Sequence, residues 1–145
     1  RIAEYVRNNW YTTLGISVTL QNLEWRTYLQ LLATDPPQIF RMGWCADYPD
    51  PENFLDVLFH TGSAQNYSRY SNPAFDALVE QARTEADPAR RITLYQQAEQ
   101  LLLDDAPALF LDYMAPYYTV WKPYVHGYIP SLIGVPQDQS IWIGH

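Results

Sequence analysis

Apolar side chains recur every three or four positions in several segments of the chain, which is the spacing of one face of an α-helix. The first stripe lies within residues 1–14, and Gly15 follows it where a left-handed C-cap is needed. Asn72-Pro73 and Asp87-Pro88 each combine a capping side chain with a proline suited to the first helical position. The pattern predicts helices over residues 1–14, 25–34, 53–58, from Pro73 onward, and from Pro88 to about Asp105.

The two proline-led helices are predicted to pack through an apolar stripe on one face of each helix. These stripes are Phe75, Leu78, Val79 and Ala82 on the first helix, and Ile92, Tyr95, Ala98 or Glu99, and Leu102 on the second. Pro107 follows the second helix and is expected to stop it, because proline cannot continue the helical hydrogen bonding.

Four shorter segments are predicted to be β-strands. Residues 16–20 alternate apolar and polar side chains, and residues 38–44, 109–111 and 117–120 are rich in apolar residues. Helices and strands alternate over the first 44 residues, so we expect a βαβ unit with parallel pairing behind a leading helix. Residues 45–71 are expected to be mostly loop. This order of elements predicts an α/β fold.

Composition and charge exclude several classes of function. The chain has 145 residues, of which 48% are hydrophobic and 17% charged, and this suits one globular domain. The net charge is −7 and Arg90-Arg91 is the only adjacent basic pair, so we expect no nucleic acid partner. One cysteine and three histidines without ligand spacing predict no metal site, and no sequence motif indicates a cofactor.

Residues 43–50 concentrate aromatic, thiol and carboxylate groups at the end of the predicted strand 38–44. Ligands of α/β proteins usually bind at such strand ends. Asp47 beside Trp44 suits an ammonium group, because the carboxylate supplies charge and the indole covers apolar atoms. Asp47 and Asp50 also remain open to loop capping, calcium ligation or service as a general acid–base pair.

Arg41 lies on the same predicted strand as Trp44. Strand alternation places Arg41 and Gly43 on one face, and Met42 and Trp44 on the other. Arg41 could bind a carboxylate bidentately or form an ordinary structural ion pair, and the sequence leaves both open. Cys45 is either a small buried hydrophobe or the partner of a cysteine on another segment.

One run and several downstream blocks resemble a known family. The run is Gly43-Trp44-Cys45-Ala46-Asp47-Tyr48, followed by Pro51 and Phe54-Leu55. Residues 70–78, 94–99, 105–107 and 122–128 continue the resemblance in the same order. Together they resemble the periplasmic oligopeptide-binding proteins, which belong to the family 5 extracellular solute-binding proteins of ABC importers.

The resemblance implies the C-terminal portion of a type II periplasmic-binding-protein clamshell, built from two α/β lobes with an extra domain in the full-length family. Residues 1–113 are then expected to be the C-terminal part of the second, ligand-binding lobe. Residues 114–145 are expected to be a return segment to the first lobe. Family members are several times longer than this chain, so we expect the remaining N-terminal segment as a separate chain.

The resemblance also implies a set of ligand-binding residues, namely Arg41, Trp44, Cys45, Ala46, Asp47 and Tyr48. Asp47 matches the aspartate that holds the ligand's α-ammonium group, and Trp44 matches a residue that lines a side-chain pocket. Arg41 matches an arginine that meets the peptide's carboxylate in some members. Cys45 matches a cysteine that forms a disulfide with an upstream cysteine in some members.

The function implied is the substrate-binding component of an ABC importer, which binds oligopeptides between its lobes and performs no chemistry. The expected partners are a peptide and a membrane permease. The expected location is periplasmic or extracellular, with a lipid anchor left open. Family members that bind dipeptides, oligosaccharides or metal chelates are the alternatives within this class. Outside it stand a hydrolase that uses Asp47 and Asp50, and a module that offers its surface to a protein partner.

Overall fold

The computed structural model describes residues 1–111, 122–129 and 138–144. Within these residues the chain forms α1 (Ile2–Leu14), α2 (Trp25–Thr34), α3 (Glu52–Phe59), α4 (Pro73–Thr84) and α5 (Pro88–Asp105). Two short strands, β1 (Val125–His126) and β2 (Trp142–Ile143), pair antiparallel, with Val125 opposite Ile143. All five helices predicted from periodicity are confirmed. No helix in the described part of the chain is both long and apolar enough to span a bilayer.

The predicted helix ends are confirmed in atomic detail. Gly15 adopts the left-handed conformation with φ of 70°, and its N–H returns to the last turn of α1. The Asn72 side chain accepts hydrogen bonds from the first two free backbone N–H groups of α4. Asp87 does the same for α5, at 2.8 and 3.1 Å. Glu24 caps α2, which the sequence did not signal, and these backbone bonds lower the pKa of its carboxyl.

The chain divides into two compact units, Arg1–Phe40 and Arg41–His145. The first unit contains α1 and α2. No side chain of α1 is buried within the chain, and α2 buries Leu32. The second unit contains α3, α4, α5 and the two short strands. The candidate site and the larger hydrophobic core therefore lie in the same unit.

The core of the second unit is formed where α3, α4 and α5 pack together. Its buried members are Leu55, Phe75, Val79, Ala82, Tyr95, Ala98 and Leu102. The predicted α4 stripe is confirmed, with Leu78 only partly buried against the core. The predicted α5 stripe is wrong at Ile92, which is 42% exposed. Arg91 faces inward instead, because its spacing to Tyr95 continues the buried face of the helix by one turn.

The predicted strands over residues 16–20, 38–44 and 109–111 are wrong for the described residues, where these segments form no ladder. A β-strand exists only when a neighbouring strand satisfies its backbone N–H and C=O groups. The pairing described in this chain joins residues 125–126 to 142–143, outside the segments predicted to be strands. The predicted βαβ unit is therefore not formed, and the predicted strand 117–120 lies outside the described residues.

The loop between α3 and α4 is ordered by a buried asparagine. Asn66, 8% exposed, donates from Nδ2 to the Tyr70 carbonyl at 2.8 Å and accepts on Oδ1 from the Ser68 hydroxyl at 2.8 Å. The Tyr70 hydroxyl in turn donates to Asp105 at the end of α5, at 2.7 Å. Burial, together with this bond, raises the pKa of Tyr70 to about 12. Asp105 thus has a structural role in joining this loop to α5.

Two neighbouring leucines on α5 test the assignment of the core. Leu102→Ala is expected to lower the free energy of unfolding by about 2–5 kcal/mol, since it leaves a cavity between packed helices. Leu103→Ala is the matched control, because Leu103 is 49% exposed and the change in helix propensity is the same. Its expected cost is about 1 kcal/mol or less. Urea denaturation of the purified protein and of each variant measures both changes in the free energy of unfolding. Equal losses for the two variants would contradict the packing.

Candidate functional site

The segment that precedes α3 alternates in exposure along its length. From Arg41 to Ala46, every second residue is exposed and the residues between them are half-buried. This is the behaviour of an extended backbone, whose successive side chains point to opposite sides. Arg41 and Gly43 lie on the exposed side, and Met42 and Trp44 on the half-buried side, in agreement with the predicted alternation. The segment keeps this pattern even though no strand pairing is formed by it.

Asn53, in the first turn of α3, connects the two principal candidate residues. Its side chain is 2% exposed, and its Oδ1 accepts from Trp44 Nε1 at 2.8 Å and from the backbone N–H of Asp47 at 3.0 Å. Its Nδ2 donates to Asp47 Oδ2 at 3.4 Å. Sequence reasoning placed Asn53 at the start of a short helix and missed this role. The sequence feature that could have revealed this role is an asparagine within a short helix beside a polar loop. If such a side chain is buried, its amide must find hydrogen-bond partners nearby.

The Asp47 carboxylate is held from one side and remains accessible from the other. Asp47 is exposed, whereas Trp44 is half-buried. The amide of Asn53 reaches only Oδ2. A carboxylate can accept about four hydrogen bonds, so Asp47 retains acceptor capacity for a donor outside the chain. The arrangement offers a fixed negative charge beside an aromatic ring.

The other predicted residues take different positions in the same segment. The Tyr48 hydroxyl donates to Glu52 on α3, and this hydrogen bond raises the pKa of Tyr48. Cys45 is exposed, so its reading as a small buried hydrophobe is wrong for this chain. Ala46 is half-buried and Arg41 is exposed. The structure therefore joins Trp44 and Asp47 through a shared partner, and directs Tyr48 toward α3.

Asp50 belongs to a structural ion pair. Arg91 donates from Nη1 to Asp50 Oδ2 at 2.5 Å and from Nη2 to Oδ1 at 2.9 Å. Arg91 also donates from Nε to the Ala82 carbonyl at 3.1 Å and lies over the Tyr95 ring, 5.0 Å from its centroid. The Asp50 carboxylate additionally accepts the backbone N–H of Glu52 at 2.9 Å. The ion pair lowers the pKa of Asp50.

These contacts bear on the alternatives that the sequence left open. A general acid must carry a proton that it can give to a substrate. Arg91 bonds both Asp50 oxygens and favours the ionised form, which argues against Asp50 as the acid of a carboxylate pair with Asp47. The capping reading of Asp50 is supported, since it bonds the first turn of α3. Within the described residues, no three His, Cys, Asp or Glu side chains are grouped as a metal site would require.

Comparison with known proteins places the site in a family context. A family model described as "Bacterial extracellular solute-binding proteins, family 5 Middle" matches residues 1–66, which include Trp44, Asp47 and Asn53. Solved structures similar to this chain are family 5 solute-binding proteins with a two-lobed clamshell fold. The predicted fold class is confirmed at that level, although the described residues contain little sheet.

Three relatives illustrate the similarity. The chain is 37% identical over 107 residues to the oligopeptide-binding protein OppA of Bacillus subtilis, covering 74% of this chain and 20% of the relative. It is 34% identical to the murein tripeptide binding protein MppA of Escherichia coli, with a TM-score of 0.78 over 98% of this chain and 28% of that structure. It is 31% identical to DppA of Helicobacter pylori in complex with the peptide STSA, with a TM-score of 0.68 over 72% and 21%. The chain spans about a quarter of the length of the curated relatives it matches.

The Asp50–Arg91 pair makes a pH-dependent contribution to stability. Because the pKa of Asp50 is lowered in the folded chain, its contribution is present above the ordinary value of 3.8 and is lost as pH falls through the lowered folded value. Asp50→Asn is therefore expected to destabilise the protein at pH ~7, and this difference from wild type should shrink below pH ~4. Urea denaturation across this range measures it. A difference that stays constant with pH would show that the Asp50 charge contributes nothing.

Proposed function

Because the chain belongs to the family 5 extracellular solute-binding proteins, we propose that it forms part of the substrate-binding component of an ABC importer and recognises the amino terminus of a peptide. Relatives named as oligopeptide-, dipeptide- and murein peptide-binding proteins support a peptide as the ligand class. These relatives are binding proteins, which agrees with a site that holds a ligand without chemistry.

One observation carries the proposal: the exposed carboxylate of Asp47, held from behind by Asn53 and flanked by Trp44. A peptide ammonium group donates three hydrogen bonds and carries a positive charge, so it complements such a carboxylate. The Trp44 indole covers the apolar atoms next to the ammonium group. The N–H of the same indole is already satisfied by Asn53, so covering the ring leaves no donor without a partner.

The rest of the segment supplies less selective contacts. Backbone N–H and C=O groups of an extended segment such as residues 41–46 bond an extended peptide in the manner of strand addition. Cys45, Ala46 and Tyr48 lie in the same run and would line the cleft without selecting a sequence. Arg41 meets the terminal carboxylate of peptides that have the matching length. Binding that depends on backbone and termini accepts many side chains, as an importer of mixed peptides requires.

Closure of the two lobes over the peptide completes the proposed mechanism, and the closed form is what a membrane permease recognises. Relatives described as periplasmic support an extracytoplasmic location. Lipid anchoring and the remaining N-terminal segment as a separate chain stay predictions. The division of the chain at residue 113 between the two lobes also stays a prediction.

Neutralising Asp47 tests the ammonium site. Asp47→Asn is expected to weaken binding of a synthetic library of short peptides with free amino termini by about ten- to a hundredfold, the value of a hydrogen bond to a charged group. Acetylating the amino termini of the same library should weaken wild-type binding by a similar factor and should leave the variant almost unaffected. Isothermal titration calorimetry of the natively expressed protein provides the apparent Kd values.

Asp104→Asn is the matched control for this test, because Asp104 is an exposed aspartate on α5, outside the proposed site. Its apparent Kd should equal that of wild type. Wild-type binding that ignores acetylation would contradict the ammonium site. Absence of any binding to the library would contradict the peptide proposal as a whole.

A further inference from the structure

We infer that Asn53 is a positioning residue that fixes the register of the ligand's ammonium group by holding the Asp47 carboxylate and the Trp44 indole in one geometry. The inference rests on the proposed function and deepens it. Asn53 is 2% exposed, so it acts through its neighbours and does not itself touch the ligand. Its three hydrogen bonds reach the main chain of Asp47, the side chain of Asp47 and the side chain of Trp44.

The orientation of the Asn53 amide follows from the chemistry of its partners. Trp44 Nε1 and the backbone nitrogen of Asp47 can only donate, so the atom that meets both must be the amide oxygen. The amide nitrogen is then directed at the Asp47 carboxylate, which can only accept when ionised. Each end of the amide is therefore matched to its partners, and a flipped amide would lose the complementarity of all three contacts.

The helix that carries Asn53 is held by contacts to both α4 and α5, so the Asn53 amide projects from a rigid element. Asp56, one turn later on α3 and 5% exposed, receives a bidentate hydrogen bond from Arg83 of α4, with both distances at 2.9 Å. Asp50 binds the N–H of Glu52 at the start of α3 and is paired with Arg91 of α5. A carboxylate that is hydrogen-bonded to a residue of this fixed helix loses little orientational freedom when a cation binds.

An asparagine suits this position better than its common replacements. Alanine would leave the Trp44 and Asp47 N–H donors without their acceptor and would release the Asp47 carboxylate. Aspartate would retain an acceptor but would place a second negative charge beside Asp47. We therefore expect Asn53→Ala to loosen the site without changing any group that contacts the ligand.

The decisive readout is the ratio of the apparent Kd of the N-acetylated peptide library to that of the free-amine library. Asn53→Ala is expected to reduce this ratio by about tenfold, because an unpositioned carboxylate discriminates less between ammonium and amide. In the Asp47→Asn background the same substitution should change the ratio by less than about twofold, since the group it positions is gone. A merely structural residue would instead change both Kd values together and leave the ratio intact.

Asn66→Ala is the matched control, because Asn66 is a second buried asparagine that clamps a loop in the same unit and makes no contact with Asp47 among its described bonds. It should lower thermal stability while leaving the ratio at the wild-type value. A ratio that Asn53→Ala leaves unchanged, or that Asn66→Ala reduces equally, would overturn the inference. A wild-type ratio near one would remove the ammonium site itself, and the inference with it.

A measurement on the wild-type protein keeps the inference testable if Asn53→Ala does not fold. In an NMR spectrum of protein labelled with nitrogen-15 in asparagine, the side-chain amide signal of Asn53 should shift when free-amine peptides bind. The shift is expected because the ammonium group hydrogen-bonds the Asp47 carboxylate, to which Asn53 Nδ2 also donates. Acetylated peptides should shift it much less, and the Asn66 amide should not move with either. An Asn53 signal that stays fixed while binding depends on the free amine would refute the coupling between Asn53 and Asp47.

Discussion

The ion pair between Asp50 and Arg91 is the interaction on which the position of the candidate site depends. Arg91 lies in the first turns of α5 and also bonds the Ala82 carbonyl near the end of α4. One guanidinium thus connects the loop before α3 to both long helices of the core. Its planar shape allows this, because its five N–H donors can serve a carboxylate and a carbonyl at the same time. A neutral side chain of similar length could pack there, but it could not hold the loop.

A second level of organisation rests on this connection. With the loop and α3 fixed, the buried amide of Asn53 can reach both Trp44 and Asp47. Buried polar groups must be satisfied, so the loop can approach α3 closely only in a conformation that presents two N–H donors to one oxygen. The result is a carboxylate with a defined direction on the surface of a rigid unit. Such a carboxylate is suited to selecting a charged terminus while tolerating variation elsewhere in the ligand.

The two aspartates of the loop show how environment separates residues of the same type. Asp50 is bound by an arginine and a backbone amide, and these contacts favour its ionised form and lower its pKa. The Asp47 carboxylate accepts a hydrogen bond from the Asn53 amide, and the residue is otherwise exposed. Their spacing in sequence left a shared acid–base role open, whereas their contacts differ: Asp50 is tied into an ion pair and Asp47 is exposed. That division favours binding over hydrolysis, in agreement with the family to which the chain belongs.

Local features were determined by the sequence by itself: the five helices, the caps at Gly15, Asn72 and Asp87, and the apolar face of α4. Each depends on side chains within a few positions of one another, so pattern and capping chemistry suffice. The run of residues 43–48 and the downstream blocks together also indicated the family, and the run indicated the candidate site. Tertiary structure alone decided the inward turn of Arg91 and the role of Asn53, because each depends on partners brought near by packing. It also decided the strands, since a ladder forms only where a neighbouring backbone supplies the matching hydrogen bonds.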